Sequence, residues 1–364
     1  MLPGVFAVFL YFLALGVFAM GTSEFMLAGL VPGIAVAFDV SLAQAGYLTS
    51  AFAAGMVAGA PLMAALSRTW RRRTALTTFL ALFVVAHVVG ALTTSFAVLL
   101  ATRVVAAVAN AGFLAVALTV ARQGRGVAVL LGATTLACVA GIPGGALLGR
   151  QAAFWTVAAL CLPALAAVAR VPDTPAGGTA DLRSELRALR PLAGVLLLGA
   201  LVNAATFGVF TYLAPIAGRA APVVLAAFGA GCFAGITAAG RLADRWPGRV
   251  ITIGGSLLLV GWTVLALVPA ALVALAFAQG ALSFAVGGTV ITRILRLATG
   301  APTMAGSYAT AALNVGATAG PVLAGAANPF WVAAALVAAA LAIAVAGRSG
   351  RPAGPGRPSR SRRP

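Results

Sequence analysis

The chain has 364 residues, of which 62% are hydrophobic and only 8% are charged. A soluble domain of that composition would expose large apolar patches to water, so the composition excludes an ordinary soluble protein and indicates one embedded in lipid. The formal net charge of +18 comes from arginine, because the chain contains no lysine. Arginines such as Arg71, Arg72 and Arg73 stand in short gaps between apolar segments, where positive charge fixes the orientation of a chain in the membrane. This placement argues against nucleic-acid binding.

Apolar runs separated by turn and charge signals predict twelve membrane-spanning helices. The first six lie near residues 5–31, 44–66, 74–93, 96–121, 126–148 and 153–169, and the second six near 192–216, 221–243, 250–268, 270–291, 302–326 and 329–347. We therefore expect an all-α membrane protein of two six-helix bundles, residues 1–169 and 192–347. A linker (170–191) joins them, and a disordered Arg-rich tail (348–364) follows.

The two halves resemble each other in sequence. A shift of 176 residues superposes Leu66, Trp70 and Arg73 on identical residue types near position 246, and Pro143 matches Pro321 at a nearly equal shift. Six-helix halves related by a pseudo-twofold axis along the membrane normal are a known transporter architecture. Its substrate site lies near the middle of the bilayer, between the halves.

The distribution of arginine predicts the orientation of the chain. With a cytoplasmic N-terminus, 21 arginines face the cytoplasm, only Arg150 and Arg219 face outside, and Arg103 lies within a span. This asymmetry indicates a multi-pass protein of the plasma (inner) membrane with both termini and the linker in the cytoplasm. The basic tail is then placed to contact anionic lipid headgroups.

Only three ionisable side chains lie within the predicted spans, and each is a functional candidate because charge is costly in lipid. Glu24 is the first candidate for binding and releasing protons, although it could instead hold a neighbouring helix or the substrate. Arg103 either tunes Glu24 electrostatically or ties helices together. His87 could relay protons, but the favoured interpretation is a neutral imidazole that packs between helices through one hydrogen bond and takes no part in proton transfer.

Other residues are candidates for helix motion or for a largely apolar pocket. Gly141, Pro143, Gly144 and Gly145 form a segment that either bends or packs closely against a neighbour. The pocket candidates are Phe25, Asn110, Asn203, Phe207, Tyr212 and Asn314. The three cysteines lie in apolar spans without ligand spacing, and no nucleotide-binding loop, metal cluster or nucleophile–base pair is evident. The sequence therefore predicts no cofactor, no metal and no enzymatic activity.

Several of these segments together resemble the major facilitator superfamily over nearly the whole chain. The segment 240–249 is similar to the superfamily's loop signature with one extra residue, and the signature residues fall on Asp244, Arg245, Gly248 and Arg249. Arg103 matches the arginine of the fourth span that this family associates with proton coupling. The element from Gly141 to Gly145 is similar to the signature of drug:proton antiporters.

Three longer segments, residues 21–32, 109–118 and 134–141, resemble the chloramphenicol efflux branch of those antiporters. The first of them is also similar to the sugar efflux branch. The resemblance implies a monomeric, proton-coupled antiporter that exports chloramphenicol or similar drug-like amphiphiles by alternating access. The implied partners are a small-molecule drug, the proton and the bilayer.

The chain departs from the family pattern at three places. Arg68 stands where the superfamily has an acidic residue, and the connections near residues 122–126 and 150–152 are shorter than is usual in the family. These departures leave open a degenerate relative that does not transport. Export of a sugar or another small metabolite, and uptake instead of export, are the further alternatives.

Overall fold

The computed structural model describes residues 3–66, 70–121, 125–170, 187, 190–243, 245–298 and 305–349, and within these ranges the chain contains helices and no strands. The expected all-α fold is therefore confirmed. The predicted linker, the predicted tail, Arg68 and Asp244 lie outside the described residues, apart from Arg187, the linker's two ends and residues 348–349. These first two residues of the predicted tail are helical. The domain boundaries at the linker and the tail thus remain predictions.

Twelve helical elements of at least 12 residues, labelled in chain order, make up most of the described chain. They are α1 (Pro3–Phe25), α2 (Leu27–Phe38), α3 (Leu42–Leu66), α4 (Arg72–Leu92), α5 (Phe96–Ala121), α6 (Arg125–Ala169), α7 (Ala193–Ala217), α8 (Ala221–Leu242), α9 (Gly255–Leu267), α10 (Leu272–Leu297), α11 (Ala305–Ala326) and α12 (Pro329–Ser349). A short turn, Pro247–Arg249, and a π-helical turn, Val250–Gly254, precede α9. Most bounds lie within a few residues of the predicted spans.

The first predicted span is divided into α1 and α2 at Met26. The Met26 amide still donates to the Thr22 carbonyl at 2.9 Å, but Gly29 donates back to Met26 across only three residues, at 3.1 Å. The carbonyl of Ser23, one residue before Glu24, accepts a hydrogen bond of 3.0 Å from the Arg103 side chain. A side chain that enters the helical ladder in this way is a recognised cause of a break.

The predicted fifth and sixth spans form one element, α6, that turns at Gly149. This glycine has φ 71° and ψ 172°, a backbone conformation that L side chains rarely adopt. Arg150, the next residue, donates to the carbonyl oxygens of Gly90 and Ala91 at 2.8 and 3.1 Å and so satisfies the last carbonyls of α4. The connection between these spans is therefore even shorter than the sequence indicated.

Nine stretches of the described chain are long and apolar enough to cross a membrane, and two of them, Gly132–Ala169 and Ala193–Leu242, hold a pair of crossings each. The remaining long helix, α11, carries more polar residues, among them Thr310, Asn314 and Thr318. Counting α1 and α2 as one crossing, the described helices provide the twelve crossings that the sequence predicts.

The three largest buried clusters of the described chain organise the packing. One belongs to the first half and is built on residues such as Phe79, Phe83 and Phe113. A smaller one lies within the second half around Val286 and Val290. The third joins the halves, because it combines Phe25 and Ile142 with residues of α7 and α8.

The contacts between the halves involve few elements. Gly46 of α3 lies against Tyr212 of α7, and an added Cβ at Gly229 of α8 would lie 3.5 Å from Ile142 of α6. The ends of α3 and α11 that carry Gly46 and Gly325 meet at the same tyrosine. The two halves are therefore closed against each other at this end of the molecule.

Candidate functional site

Glu24 lies near the end of α1, two residues before the break at Met26. Its side chain is partly exposed, and it makes no hydrogen bond or ion pair with the described part of the chain. It does interact electrostatically with Arg103. Of the six acidic residues in the sequence, it is the one that lies within a described helix, since Asp39 follows α2 as its C-cap.

Arg103 of α5 is completely buried, and its guanidinium group is directed to α1. Nη1 donates to the Ser23 hydroxyl at 2.9 Å, and Nη2 donates to the Ser23 carbonyl at 3.0 Å. The group also lies over the rings of Phe52 and Phe154, with its Cζ 4.6 and 5.7 Å from their centroids. Two hydrogen bonds and two aromatic faces thus compensate part of the cost of burying this cation.

His87 of α4 is also fully buried, and both of its ring nitrogens are engaged. Nδ1 lies 2.8 Å from the Phe83 carbonyl, and because a carbonyl can only accept, this nitrogen carries the proton. Nε2 lies 2.6 Å from the Ser23 hydroxyl and accepts its hydrogen. The imidazole packs between the Phe83 and Phe154 rings, at 4.2 and 5.3 Å between centroids.

The glycine segment of α6 packs directly on the break between α1 and α2. A Cβ added at Gly141 would lie 3.0 Å from the Thr22 carbonyl, and one added at Gly145 would collide with the Met26 carbonyl. Gly29 of α2 in turn approaches the backbone of Ala146. A Cβ added at Gly144 would meet no described atom within 4 Å outside its own helix backbone, and Pro143 is half-buried. The two glycines four residues apart therefore permit a close backbone crossing beside Glu24.

Phe25, the neighbour of Glu24, extends into the second half. Its ring centroid lies 6.5 Å from Phe207 and 6.1 Å from Phe210 of α7, and 6.3 Å from Phe284 of α10. Phe210 also stacks on Phe228 of α8, at 5.9 Å. These five rings, which we call the aromatic cluster, join the helix of the acidic residue to the opposite bundle.

Three of the remaining pocket candidates bond to a neighbouring helix, and the fourth bonds within its own helix. Asn110 directs its amide to the Met56 sulfur at 3.8 Å, and Asn203 donates to the Leu313 carbonyl at 2.7 Å. Asn314 donates to the Thr310 carbonyl of its own helix at 2.9 Å. Tyr212 donates to the Pro321 carbonyl at 2.9 Å. The structure thus brings Phe25 and Phe207 together, whereas a shared pocket of all six residues stays a prediction.

The loop signature after α8 is only partly described. Arg245 lies with its guanidinium 5.9 Å from the ring of Trp246, and the Gly248 carbonyl accepts a hydrogen bond from Thr252 at 2.9 Å. Arg249 is exposed. Asp244 lies outside the described residues, so the gating role of this segment stays a prediction.

Sequence reasoning missed Ser23, Phe210 and Phe284. Ser23 stands beside Glu24, but a serine in a membrane helix gives no signal of which helix it faces. The two phenylalanines were hidden among many other apolar residues. Within the described ranges, no group of three or more His, Cys, Asp or Glu residues is placed to hold a metal ion.

Comparison with known proteins identifies the fold and its family. A model of the Major Facilitator Superfamily matches residues 13–221, which is more than half of the chain. The chain belongs to this superfamily. The transporter is 56% identical to a chloramphenicol resistance protein of Streptomyces lividans, and the match covers 92% of the chain and 95% of that relative. The resemblance to the chloramphenicol resistance branch is therefore confirmed.

More distant relatives agree with this assignment. The inner membrane transport protein YdhP of Escherichia coli K12 is 32% identical over 86% of the chain and 87% of its own length. Among solved structures, a bacterial homologue of the human lysosomal transporter Spinster matches with a TM-score of 0.70 and 17% identity, over 95% of this chain and 94% of that one. The human organic anion transporter MFSD10 matches with a TM-score of 0.65 and 19% identity, over 94% and 97%. These structures support the fold, and the relatives are membrane transporters.

Proposed function

We propose that this protein exports chloramphenicol, or a similar neutral aromatic amphiphile, in exchange for protons. The observation that carries the proposal is the 56% identity, over nearly the full length of both chains, with a chloramphenicol resistance protein. The structure adds one partly exposed carboxylate, Glu24, beside an aromatic cluster that bridges the two halves.

The surroundings of Glu24 suit a neutral substrate better than a charged one. Phe25, Phe207 and Phe284 offer aromatic faces, and the buried Arg103 is already bonded to Ser23. A small number of polar groups within a mostly apolar lining is typical of sites for drug-sized ligands. A sugar, with its many hydroxyl groups, would need more polar anchors than the aromatic cluster provides.

Glu24 is the group to which we assign proton coupling. A carboxylate without an ion-pair partner among the described residues can take up a proton without first breaking a contact, and Arg103 acts on it through the electric field. Exchange follows if protonation and drug binding favour opposite conformations or compete for one site. Proton entry from outside then drives the return of the drug-free transporter.

The conformation of the halves supports an alternating-access cycle. The contact of Gly46, Tyr212 and Gly325 closes one end, and the arginine distribution assigns that end to the outside. In the cycle, this contact must separate each time the drug is released. The short turn at Gly149 is compatible with such motion, because both helical parts of α6 that it joins lie within the first half.

The test measures uptake of labelled chloramphenicol into inverted membrane vesicles, with and without a protonophore. We expect uptake that depends on the pH gradient in the unmodified protein and is lost in Glu24→Gln, which keeps the shape but cannot release a proton. Asp39→Asn is the matched control, because Asp39 is exposed and adopts φ 51°, which asparagine tolerates. Immunoblots of washed membranes establish equal insertion.

The outcomes distinguish the alternatives. Gradient-driven uptake that persists in Glu24→Gln would place the proton site elsewhere. A gradient-dependent response to a labelled sugar, with none to chloramphenicol, would favour the sugar efflux alternative. Protein that is fully inserted but inactive towards both substrates would favour a degenerate relative.

A further inference from the structure

The buried arginine bonds to the residue before the candidate proton site, and not to that site. Both terminal nitrogens of Arg103 donate to Ser23, one to its hydroxyl and one to its carbonyl, at 2.9 and 3.0 Å. Its Nε has no hydrogen-bond partner in the part of the chain that the structure describes. Glu24, the next residue, interacts with Arg103 only through space. A carboxylate would normally be the preferred partner of a desolvated guanidinium.

His87 explains why the Ser23 hydroxyl is available to the arginine. The Nδ1–H of His87 is directed to the Phe83 carbonyl, so Nε2 can only accept in the neutral ring. The Ser23 hydroxyl therefore donates to Nε2, at 2.6 Å, and presents its lone pairs to Nη1 of Arg103. The hydrogen bonds form one directed chain from Arg103 through Ser23 and His87 to the carbonyl of Phe83.

The imidazole is held by more than its hydrogen bonds. It is completely buried, and the rings of Phe83 and Phe154 lie against it. A second proton would create two cations joined through a single hydroxyl in an apolar interior, which is unfavourable. His87 thus remains an acceptor and keeps the Ser23 hydroxyl in one orientation.

We propose that Ser23 and His87 are positioning residues that hold Arg103 on the backbone of α1 and keep it from forming a permanent ion pair with Glu24. This inference rests on the proposed function, in which Glu24 carries the proton. The carboxylate then stays free to bind a proton or to contact the drug, while the arginine contributes a fixed positive field. Ser23 and His87 have no direct part in the transfer.

The ionisable groups around Arg103 determine which partner it would contact if its bonds to Ser23 were lost. The ionisable groups at this site are Glu24 from α1, His87 from α4 and Arg103 from α5. The helices α3 and α6 contribute the aromatic rings of Phe52 and Phe154. Within the described part of the chain, Glu24 is therefore the carboxylate within reach of a released Arg103. An ion pair stabilises the deprotonated carboxylate, so protonation would then require a lower pH.

The experiment records the pH dependence of chloramphenicol transport in proteoliposomes that contain the full-length protein. Ser23→Ala removes the hydroxyl, and His87→Leu removes the acceptor while leaving Ser23 in place. We expect both variants to shift the pH of half-maximal transport to lower values, by about 1 to 3 units. Ser23→Thr retains a hydroxyl, so this variant should keep the pH profile of the unmodified protein. Ser256→Ala, at an exposed position of α9, is the matched control and should leave the profile unchanged.

Each result has a defined meaning. If Glu24→Gln transports normally in the same assay, the proposed function fails, whatever the serine variants do. If Glu24→Gln is inactive but Ser23→Ala and His87→Leu keep the original pH profile, or shift it to higher pH, the positioning role is overturned. Loss of folded protein in both variants, judged by size-exclusion chromatography, would assign the network a purely structural role and also overturn it.

Discussion

The hydroxyl of Tyr212 donates a hydrogen bond of 2.9 Å to the carbonyl oxygen of Pro321 on the neighbouring α11. The same hydroxyl lies between two glycines, Gly46 of the first half and Gly325 of the second. A Cβ at Gly325 would lie 2.5 Å from this oxygen, and one at Gly46 would collide with it. Tyr212 thus closes the contact between the halves because neither glycine has a side chain.

This contact can be weakened in two graded steps. Tyr212→Phe removes the hydrogen bond within the second half that fixes the ring against Gly46, and it should destabilise the closed end by about 1 kcal/mol. Gly46→Ala forces the tyrosine to move and should have the larger effect, of about 1 to 3 kcal/mol. Distances between spin labels at Ser95 and Ala270, both exposed, should report a growing population of separated ends. Equal distance distributions in all three proteins would contradict this role.

A second contact between the halves is suitable for cross-linking. Cys138 of α6 and Cys232 of α8 belong to the same buried cluster, and their side chains interact across the interface. A membrane-permeant oxidant should join them when the halves are closed, whereas Cys161, which lies in the cluster of the first half, should remain free. With a protease site in the linker, the halves should migrate together on a non-reducing gel. Cys138→Ala is expected to separate them.

Much of the fold could be predicted because lipid imposes a simple rule on composition. An apolar run must form a helix of a length that spans the bilayer, so twelve crossings follow from hydropathy and turn residues. The break at Met26 could not be predicted in this way. It accompanies a hydrogen bond from Arg103, 80 residues away, to a carbonyl of α1. No local pattern in residues 20–30 encodes such a contact.

The candidate site was predicted unevenly for a related reason. Glu24 and Arg103 were recognised because a charge within a membrane helix is costly and therefore informative. The amides of Asn110 and Asn203 gave no such signal about direction, since a helix that is apolar on all sides does not reveal which face is turned inward. The structure shows them bonding to neighbouring helices. We expected the His87 imidazole to pack between helices through a hydrogen bond. The structure has hydrogen bonds at both of its ring nitrogens.

The orientation of the chain is testable independently of transport. The arginine asymmetry predicts that both termini are cytoplasmic. Alkaline phosphatase fused after Ser349 should be inactive, and a green fluorescent protein fused there should fluoresce. The same phosphatase inserted after Ser95, between α4 and α5, should be active. With a cytoplasmic N-terminus, activity at the C-terminal fusion would mean that the number of crossings is odd.

We expect the planar guanidinium group of Arg103 to be as important for gradient-driven transport as its positive charge. Arg103→Lys keeps a cation but has one nitrogen in place of the fork that reaches both the hydroxyl and the carbonyl of Ser23. We expect gradient-driven transport to fall at least ten-fold and thermal stability to decrease, because one Ser23 contact and the stacking on Phe52 are lost. Arg293→Lys, on α10, serves as the control. Retention of normal coupling in Arg103→Lys would show that the charge alone is sufficient.

The crossing of α6 over α1 offers a matched pair of variants that differ by one position. Gly145→Ala places a methyl group against the Met26 carbonyl, which belongs to the backbone and can yield only if the helices separate. Gly144→Ala adds the same methyl group where no described atom outside its own helix backbone lies within 4 Å. Alanine also has a higher helix propensity than glycine, by about 1 kcal/mol, at both positions. We therefore expect Gly144→Ala to be neutral or slightly stabilising, whereas Gly145→Ala should be destabilising by about 1 to 3 kcal/mol.

Thermal unfolding of the purified proteins and drug transport in vesicles measure the two effects. Since the collision occurs two residues beyond Glu24, transport in Gly145→Ala should decline more than stability alone explains. A Gly145→Ala protein as stable and active as Gly144→Ala would contradict the close crossing.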